Sequence, residues 1–179
     1  MNKPKHKCEI IITFGDCDPA GIVFYPNFYR FIDRTFHDWL RQWGSHDAVA
    51  KRFDGLALGL IDCGAQFHHV VRDGDILEVE MQLSDWGRKT FKVEYQAFVR
   101  GTLCLTAFEV RGLFQVIKNK IRAADISSLK DFIAPYSSSG SIKNCRSLAD
   151  LSVSDFSLFD IVAHALISPM VLKHPTHKP

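Results

Sequence analysis

The 179-residue sequence lacks nearly every feature that would commit it to nucleic acid, a membrane, a metal or a disulfide framework. Its charges almost cancel: 22 Lys and Arg against 20 Asp and Glu leave a formal +2, which gives no electrostatic case for a nucleic-acid partner. No apolar run reaches bilayer length. The most apolar late stretch, Leu158 to Leu172, is interrupted by Asp160, His164 and Pro169, so no membrane partner is expected. The opening M-N-K-P-K-H-K-C-E is basic but is followed by no apolar signal core with a small-residue cleavage site, which predicts a soluble, cytoplasmic protein. Five cysteines, Cys8, Cys17, Cys63, Cys104 and Cys145, include no C-x-x-C pair and are odd in number. That pattern predicts reduced thiols. H-E-x-x-H, zinc-type cysteine spacing and a Gly-rich phosphate loop are missing too, so neither metal nor cofactor is expected. His68 and His69, adjacent on a presumed strand, would point to opposite faces and could not share an ion.

What is present is enough apolar material for one sizeable core: 46% hydrophobic residues, 12% of the chain aromatic. Residues 7–14 read as a first strand. Phe28, Phe31, Ile32, Phe36, Trp39, Leu40 and Trp43 recur at steps of three and four, which predicts an amphipathic helix over Asn27–Trp43. Pro26 suits its first turn and Gly44 its stop, while Arg30, Asp33, Arg34, Asp38 and Arg41 lie mostly off the apolar line. Such an aromatic helix needs a sheet around it. Leu56–Val71 is mixed, R-D-G-D at Arg72–Asp75 reads as a hairpin, and Ile76–Leu83 and Phe91–Val99 alternate. Arg100-Gly101-Thr102 is a turn into a last long strand, Leu103–Ile117. The prediction is therefore α+β: a five-stranded antiparallel sheet wrapped around one long central helix. Asp125–Ile133 reads as a short capping helix. Residues 1–133 form the main domain, and 134–179 a C-terminal extension, a Ser/Gly-rich linker followed by a helix from an N-cap at Ser154 to about Ser168.

Between the first strand and the helix lies F-G-D-C-D-P-A-G-I-V-F-Y-P-N-F, Phe14 to Phe28. Asp16 and Asp18 sit in turn chemistry that runs directly into a helix N-terminus, whose free N–H groups attract anionic oxygen. Such a place suits the polarisation of a carbonyl, which needs an attacking oxygen and a donor for the developing oxyanion. Asp18 could attack directly or act as base on a water, and N–H groups around Tyr25 would face the carbonyl.

This segment closely resembles the active-site segment of the 4-hydroxybenzoyl-CoA thioesterase family, over about residues 13–33 and more loosely to residue 118. The resemblance implies the hot-dog fold and hydrolysis of an acyl-CoA thioester, the acid being 4-hydroxybenzoic or another aromatic or short-chain acid. It implies Asp18 as the catalytic carboxylate and the Tyr25 backbone N–H as the group that polarises the thioester. Asp16 is read as a turn or capping residue, and Asn27 as ordering the loop and counted among the substrate-binding residues. The W-R-R-K-like segment that grips the nucleotide in that family is matched by Trp86-Gly87-Arg88-Lys89. Arg88 and Lys89 are thereby implied to bind substrate, although Gly87 replaces the first basic position. On composition alone the same segment reads as a solvated hairpin tip. A site between two subunits, in a homotetramer or homodimer, is also implied. The rival readings are a hot-dog hydratase, for which no D-x-x-x-x-H follows the first strand, and a sister thioesterase group with a helix Glu, absent from Asn27–Trp43. From another class, the rival is a non-catalytic acyl-CoA-binding module or sensor.

Overall fold

A computed structural model describes residues 5–44, 46–53, 56–118 and 120–134. The extension from 135 onward, with its expected linker and helix, lies outside the described residues. The elements are β1 (Lys5–Ile11), α1 (Tyr25–Leu40), α2 (His46–Arg52), β2 (Ala57–Phe67), β3 (Ile76–Trp86), β4 (Thr90–Val99), β5 (Thr102–Ile117), β6 (Lys120–Ala123) and α3 (Ser127–Ile133). All strand pairs are antiparallel, in the order β1-β3-β4-β5-β2, and β6 pairs with the end of β5.

The apolar stripe of α1 sets the curvature. Phe28, Phe31, Ile32, Phe36, Trp39 and Leu40 are all buried, as their spacing requires. The helix reaches β1 through His6 and Asp38 (2.9 Å), β4 through Phe36 and Phe91, β5 through Asp33 and Arg111, and β2 through Phe28 and Phe67. One helix can touch both edge strands only if the sheet curls around it. Opposing side chains on β3 and β4 (Leu77, Val79, Met81, Leu83; Phe91, Val93, Tyr95, Ala97) complete the core.

Several expectations need correction. The sheet has six strands, because Lys120–Ala123 pairs beside the stretch of β5 where β4 has ended. R-D-G-D turns at Gly74 (φ 83°) but joins no hairpin: β2 and β3 are not neighbours. Gly74 N–H donates to Ile12 O and Ile12 N–H to Asp75 O, so the turn docks on the end of β1 and carries the chain across the sheet. The first strand stops at Ile11, and α1 begins at Tyr25 and ends at Leu40, followed by a 3-10 turn, Arg41–Trp43, and Gly44 at φ 118°. Cys17, Cys63 and Cys104 carry free thiols. Among the described residues, no helix is long and apolar enough to cross a membrane.

A buried ionic chain fastens α1 to the sheet. Arg111, 2% exposed, donates to Glu109 on its own strand (2.8 Å) and to Asp33 on the helix (2.5 Å), and lies 4.0 Å over the Phe36 ring. Tyr95 Oη donates to the same Glu109 oxygen at 2.6 Å. Burial opposes the Arg111 charge, but Glu109 and Asp33 more than offset it and hold the guanidinium protonated. Burial and the Glu109 charge push the Tyr95 phenol up. Burial would also raise the Asp33 carboxyl, but the His37 contact and Arg111 outweigh it and bring its pKa from 3.8 to about 2. Because that pKa is depressed on folding, the stabilisation is present above about pH 4 and is lost as pH falls through about 2. With a side chain 44% exposed, its share is roughly 1 kcal/mol after solvent screening. Urea midpoints at pH 5 and pH 2.5 should therefore differ less in Asp33→Asn than in the wild type.

Candidate active site

The loop between β1 and α1 is folded by its own polar groups. Thr13 donates its N–H and its hydroxyl to Asp16 Oδ2 (2.9 and 2.7 Å), closing a short 3-10 turn, Phe14–Asp16. This is why β1 ends early and why the buried Asp16 is structural. The Asp16 carbonyl then accepts both Phe24 N–H and Asn27 Nδ2, each at 2.9 Å, so the loop is stapled to the start of α1. Asn27 Oδ1 accepts from Arg30 at 3.1 Å. The Asn27 amide is engaged at both ends within the chain, and ordering the loop is the role its contacts carry.

Beyond the staple, Cys17 and Val23 pair across a tight hairpin. Asp18 N–H donates to Ile22 O, and Gly21 N–H donates back to Asp18 O, both at 2.9 Å. Gly21 takes φ 72°, the left-handed conformation that completes such a turn. The half-buried Asp18 carboxylate accepts Ala20 N–H through Oδ1 at 2.8 Å, and Oδ2 has no partner among the described residues. At the start of α1, Pro26 has no N–H and Asn27 N–H is bonded to Phe24 O. The Tyr25 N–H, at the first helical position, has no acceptor among the described residues. The bonds that join Asp16 to Phe24 and Asn27 tie the loop that carries Asp18 to the start of α1, where Tyr25 lies.

Arg88 and Lys89 are placed elsewhere. They sit exposed in the turn from β3 to β4, which Gly87 N–H closes on Thr90 O at 2.8 Å. A Cβ at position 87 would lie 3.2 Å from Thr90 Oγ1 and 3.3 Å from that carbonyl, a close fit that a side chain there would have to displace slightly. Ile76, at the start of β3, pairs with Ile11 beside the loop, and Trp86 ends the strand ten residues on. At a strand rise of about 3.3 Å per residue, the basic turn is roughly 30 Å from the loop within one chain.

A cleft of ≈ 240 Å³ adjoins the start of α1, lined by Ile22, Tyr25, Phe28, Phe67, His69 and Val71 among others. Sequence reasoning weighed the two histidines only as metal ligands and missed this wall. Their backbone N–H groups share Cys104 O, which bends the chain off the end of β2 and over the helix tip. A wider hollow of ≈ 1010 Å³ lies on the outer sheet face among Lys7, Glu80, Gln82, Lys92, Glu94 and Gln96 and touches no residue of the loop.

Residues 12–134 match the family model described as the thioesterase-like superfamily. The chain belongs to that superfamily. This thioesterase is 30% identical over 124 residues to the 4-hydroxybenzoyl-CoA thioesterase of Pseudomonas sp. (strain CBS-3), a match spanning 64% of the chain and 86% of that relative. A solved structure of a 4-hydroxybenzoyl-CoA thioesterase mutant complexed with 4-hydroxybenzoyl-CoA superposes with TM-score 0.65 at 26% identity, covering 73% of this chain and 96% of that one. A 1,4-dihydroxy-2-naphthoyl-CoA hydrolase of Prochlorococcus marinus (strain MIT 9303) is 26% identical over 95 residues, 48% of the thioesterase described here and 62% of the hydrolase. The predicted hot-dog architecture is therefore the architecture found.

Proposed function

We propose that this thioesterase hydrolyses an acyl-CoA carrying an aromatic acyl group, with Asp18 supplying the attacking oxygen and the Tyr25 N–H holding the carbonyl. The observation that carries the reading is a carboxylate anchored by one oxygen, on a loop stapled to a helix start whose first N–H has no acceptor among the described residues. The carbonyl oxygen gains negative charge as the carbon becomes tetrahedral. The Tyr25 N–H and the positive end of α1 stabilise it there, and removal of one such donor typically costs about 10²–10³ in rate. Asp18 Oδ2 either adds to the carbon or takes a proton from the water that adds. The C–S bond then breaks, and the sulfur leaves as thiolate and takes up a proton; on the direct-attack route water then hydrolyses the acyl–Asp18 anhydride, so that either route releases the acid and CoA and restores the Asp18 carboxylate.

Arg88 and Lys89 bind the phosphates of the CoA nucleotide in this reading. Since one chain holds them a strand-length from Asp18, they reach the substrate from a second copy, and the working unit is a homodimer or a dimer of dimers. A cytoplasmic setting belongs to the same reading. The free thiols of Cys17, Cys63 and Cys104 support it.

Thiol release from a panel of acyl-CoA esters tests the function. An inert wild type that still binds the esters would make this an acyl-CoA sensor. The shared site has its own test, in which Asp18→Asn chains are mixed with Arg88→Glu/Lys89→Glu chains. Random reassociation should restore about one quarter of wild-type activity, since half the dimers then carry one intact site. No recovery, with exchange of subunits shown by mass, would place both groups on the same chain's substrate.

A further inference from the structure

The segment that leads into β3 grips the loop carrying Asp18 at both ends. At the near end, Ile12 N–H donates to Asp75 O at 2.9 Å and Gly74 N–H to Ile12 O at 3.0 Å. At the far end, Val23 N–H donates to Val71 O at 2.9 Å. Between them a side chain joins in: the exposed Arg72 donates through Nη1 to Gly21 O at 3.4 Å. The grip has its own stiffness. Asp75 Oδ2 accepts Arg72 N–H at 2.9 Å, and Asp75 N–H donates back to Arg72 O at 3.1 Å, which closes R-D-G-D on itself. Val71 and Leu77, on either side of that turn, are at 1% and 0% exposure, so it is rooted in the core.

The tip of the loop has no such root. Residues 18–22 include no buried side chain, and Pro19, Ala20 and Gly21 are exposed. Its other bonds are internal: Asp18 N–H to Ile22 O, Gly21 N–H to Asp18 O, and Ala20 N–H to Asp18 Oδ1. Among the described residues, the bond from Arg72 is the one hydrogen bond that reaches 18–22 from outside the tip. It ends on Gly21, whose N–H is in turn bonded to the Asp18 carbonyl. Building on the function proposed above, we infer that Arg72 is a positioning residue for Asp18, holding the tip, and with it the carboxylate, through Gly21. A reacting group displaced by about 1 Å can lose about 10²-fold in rate. The bond itself is exposed, so its loss changes the folded state little while freeing the carboxylate to wander.

The experiment measures kcat, KM and Tm for the wild type, Arg72→Ala, Arg72→Lys, Asp18→Asn and the double variant Asp18→Asn/Arg72→Ala. The substrates are 4-hydroxybenzoyl-CoA, benzoyl-CoA and butyryl-CoA. Arg72→Ala should lower kcat about tenfold or more on every ester that the wild type hydrolyses, with KM within about twofold. Tm should stay within about 2 °C, as for an exposed site. Arg72→Lys, which keeps a cationic donor, should restore part of the rate. In the Asp18→Asn background, Arg72→Ala should cost nothing further, because no attacking carboxylate is left to position. Wild-type kcat in Arg72→Ala, a change in KM alone, or an equal loss in both backgrounds overturns the inference and leaves the Asp18 mechanism standing. So does a rate loss that comes only with a Tm fall beyond about 5 °C, which makes Arg72 a structural residue. A wild type inert toward all three esters, or Asp18→Asn at the full rate, overturns both.

Discussion

Asp18→Asn should lower kcat for acyl-CoA hydrolysis by about 10²–10⁴-fold, the range a positioned acid–base group supplies. The substitution is nearly isosteric and keeps an oxygen to accept Ala20 N–H, so the 18–21 turn and its Gly21 geometry stay as they are. What it removes is the charge and basicity of the other oxygen. Binding of the ester should persist, because neither the Tyr25 N–H nor the cleft depends on that charge. Hydrolysis at the wild-type rate would end the mechanism. The surviving question is which bond Asp18 makes, and single-turnover hydrolysis in heavy-oxygen water answers it. Direct attack, with water opening the mixed anhydride at the protein carbon, leaves the label on Asp18, whereas base catalysis sends it only to the released acid.

Arg111→Met should be the most destabilising change at the helix–sheet interface, by about 3–5 kcal/mol. Glu109 is 2% exposed and would be left with only the Tyr95 hydroxyl to balance its charge. Asp33 would also lose its partner on the sheet, and the Phe36 ring its stacked guanidinium. For a chain of this size that loss lowers Tm by about 10 °C or more, out of a typical total stability of about 5–15 kcal/mol. The double variant Glu109→Gln/Arg111→Met should recover a substantial part, since it removes the stranded charge as well as its partner. A single-variant loss below about 1 kcal/mol would mean that water reaches Glu109 and the network carries little.

That network also marks where the sequence stops being legible. The apolar stripe of α1 and the alternation in β3 and β4 could be read because each is a local period imposed by one buried face. The Asp33–Arg111 pair could not, since its members are 78 residues apart and Asp33 counts, by periodicity, among the helix's outward charges. R-D-G-D was legible as a turn but not as a turn that leaves its own strand, because the hydrogen bonds that redirect it come from Ile12. Lys120–Ala123 is too short to show a period, and α2 lies in a stretch with no apolar stripe to announce it. In the candidate site, the residue order of the loop singles out Asp18, Tyr25 and Asn27 as candidates. It says nothing of His69, which a bend at the end of β2 brings to the wall of the cleft.

One donor at the start of α1 has an effect on how the protein could be dissected. Pro26 contributes no amide hydrogen and the Asn27 amide is already bonded, which leaves the peptide N–H of Tyr25, unbonded among the described residues, as the donor that the proposed mechanism assigns to the carbonyl. That hydrogen belongs to the main chain. Exchanging the phenol for any ordinary side chain leaves it in place, so a survey that trims side chains one at a time would pass Tyr25 as dispensable while its peptide group went on working. Only chemistry that edits the backbone itself, an ester in place of the amide, would expose the debt the reaction owes to this position.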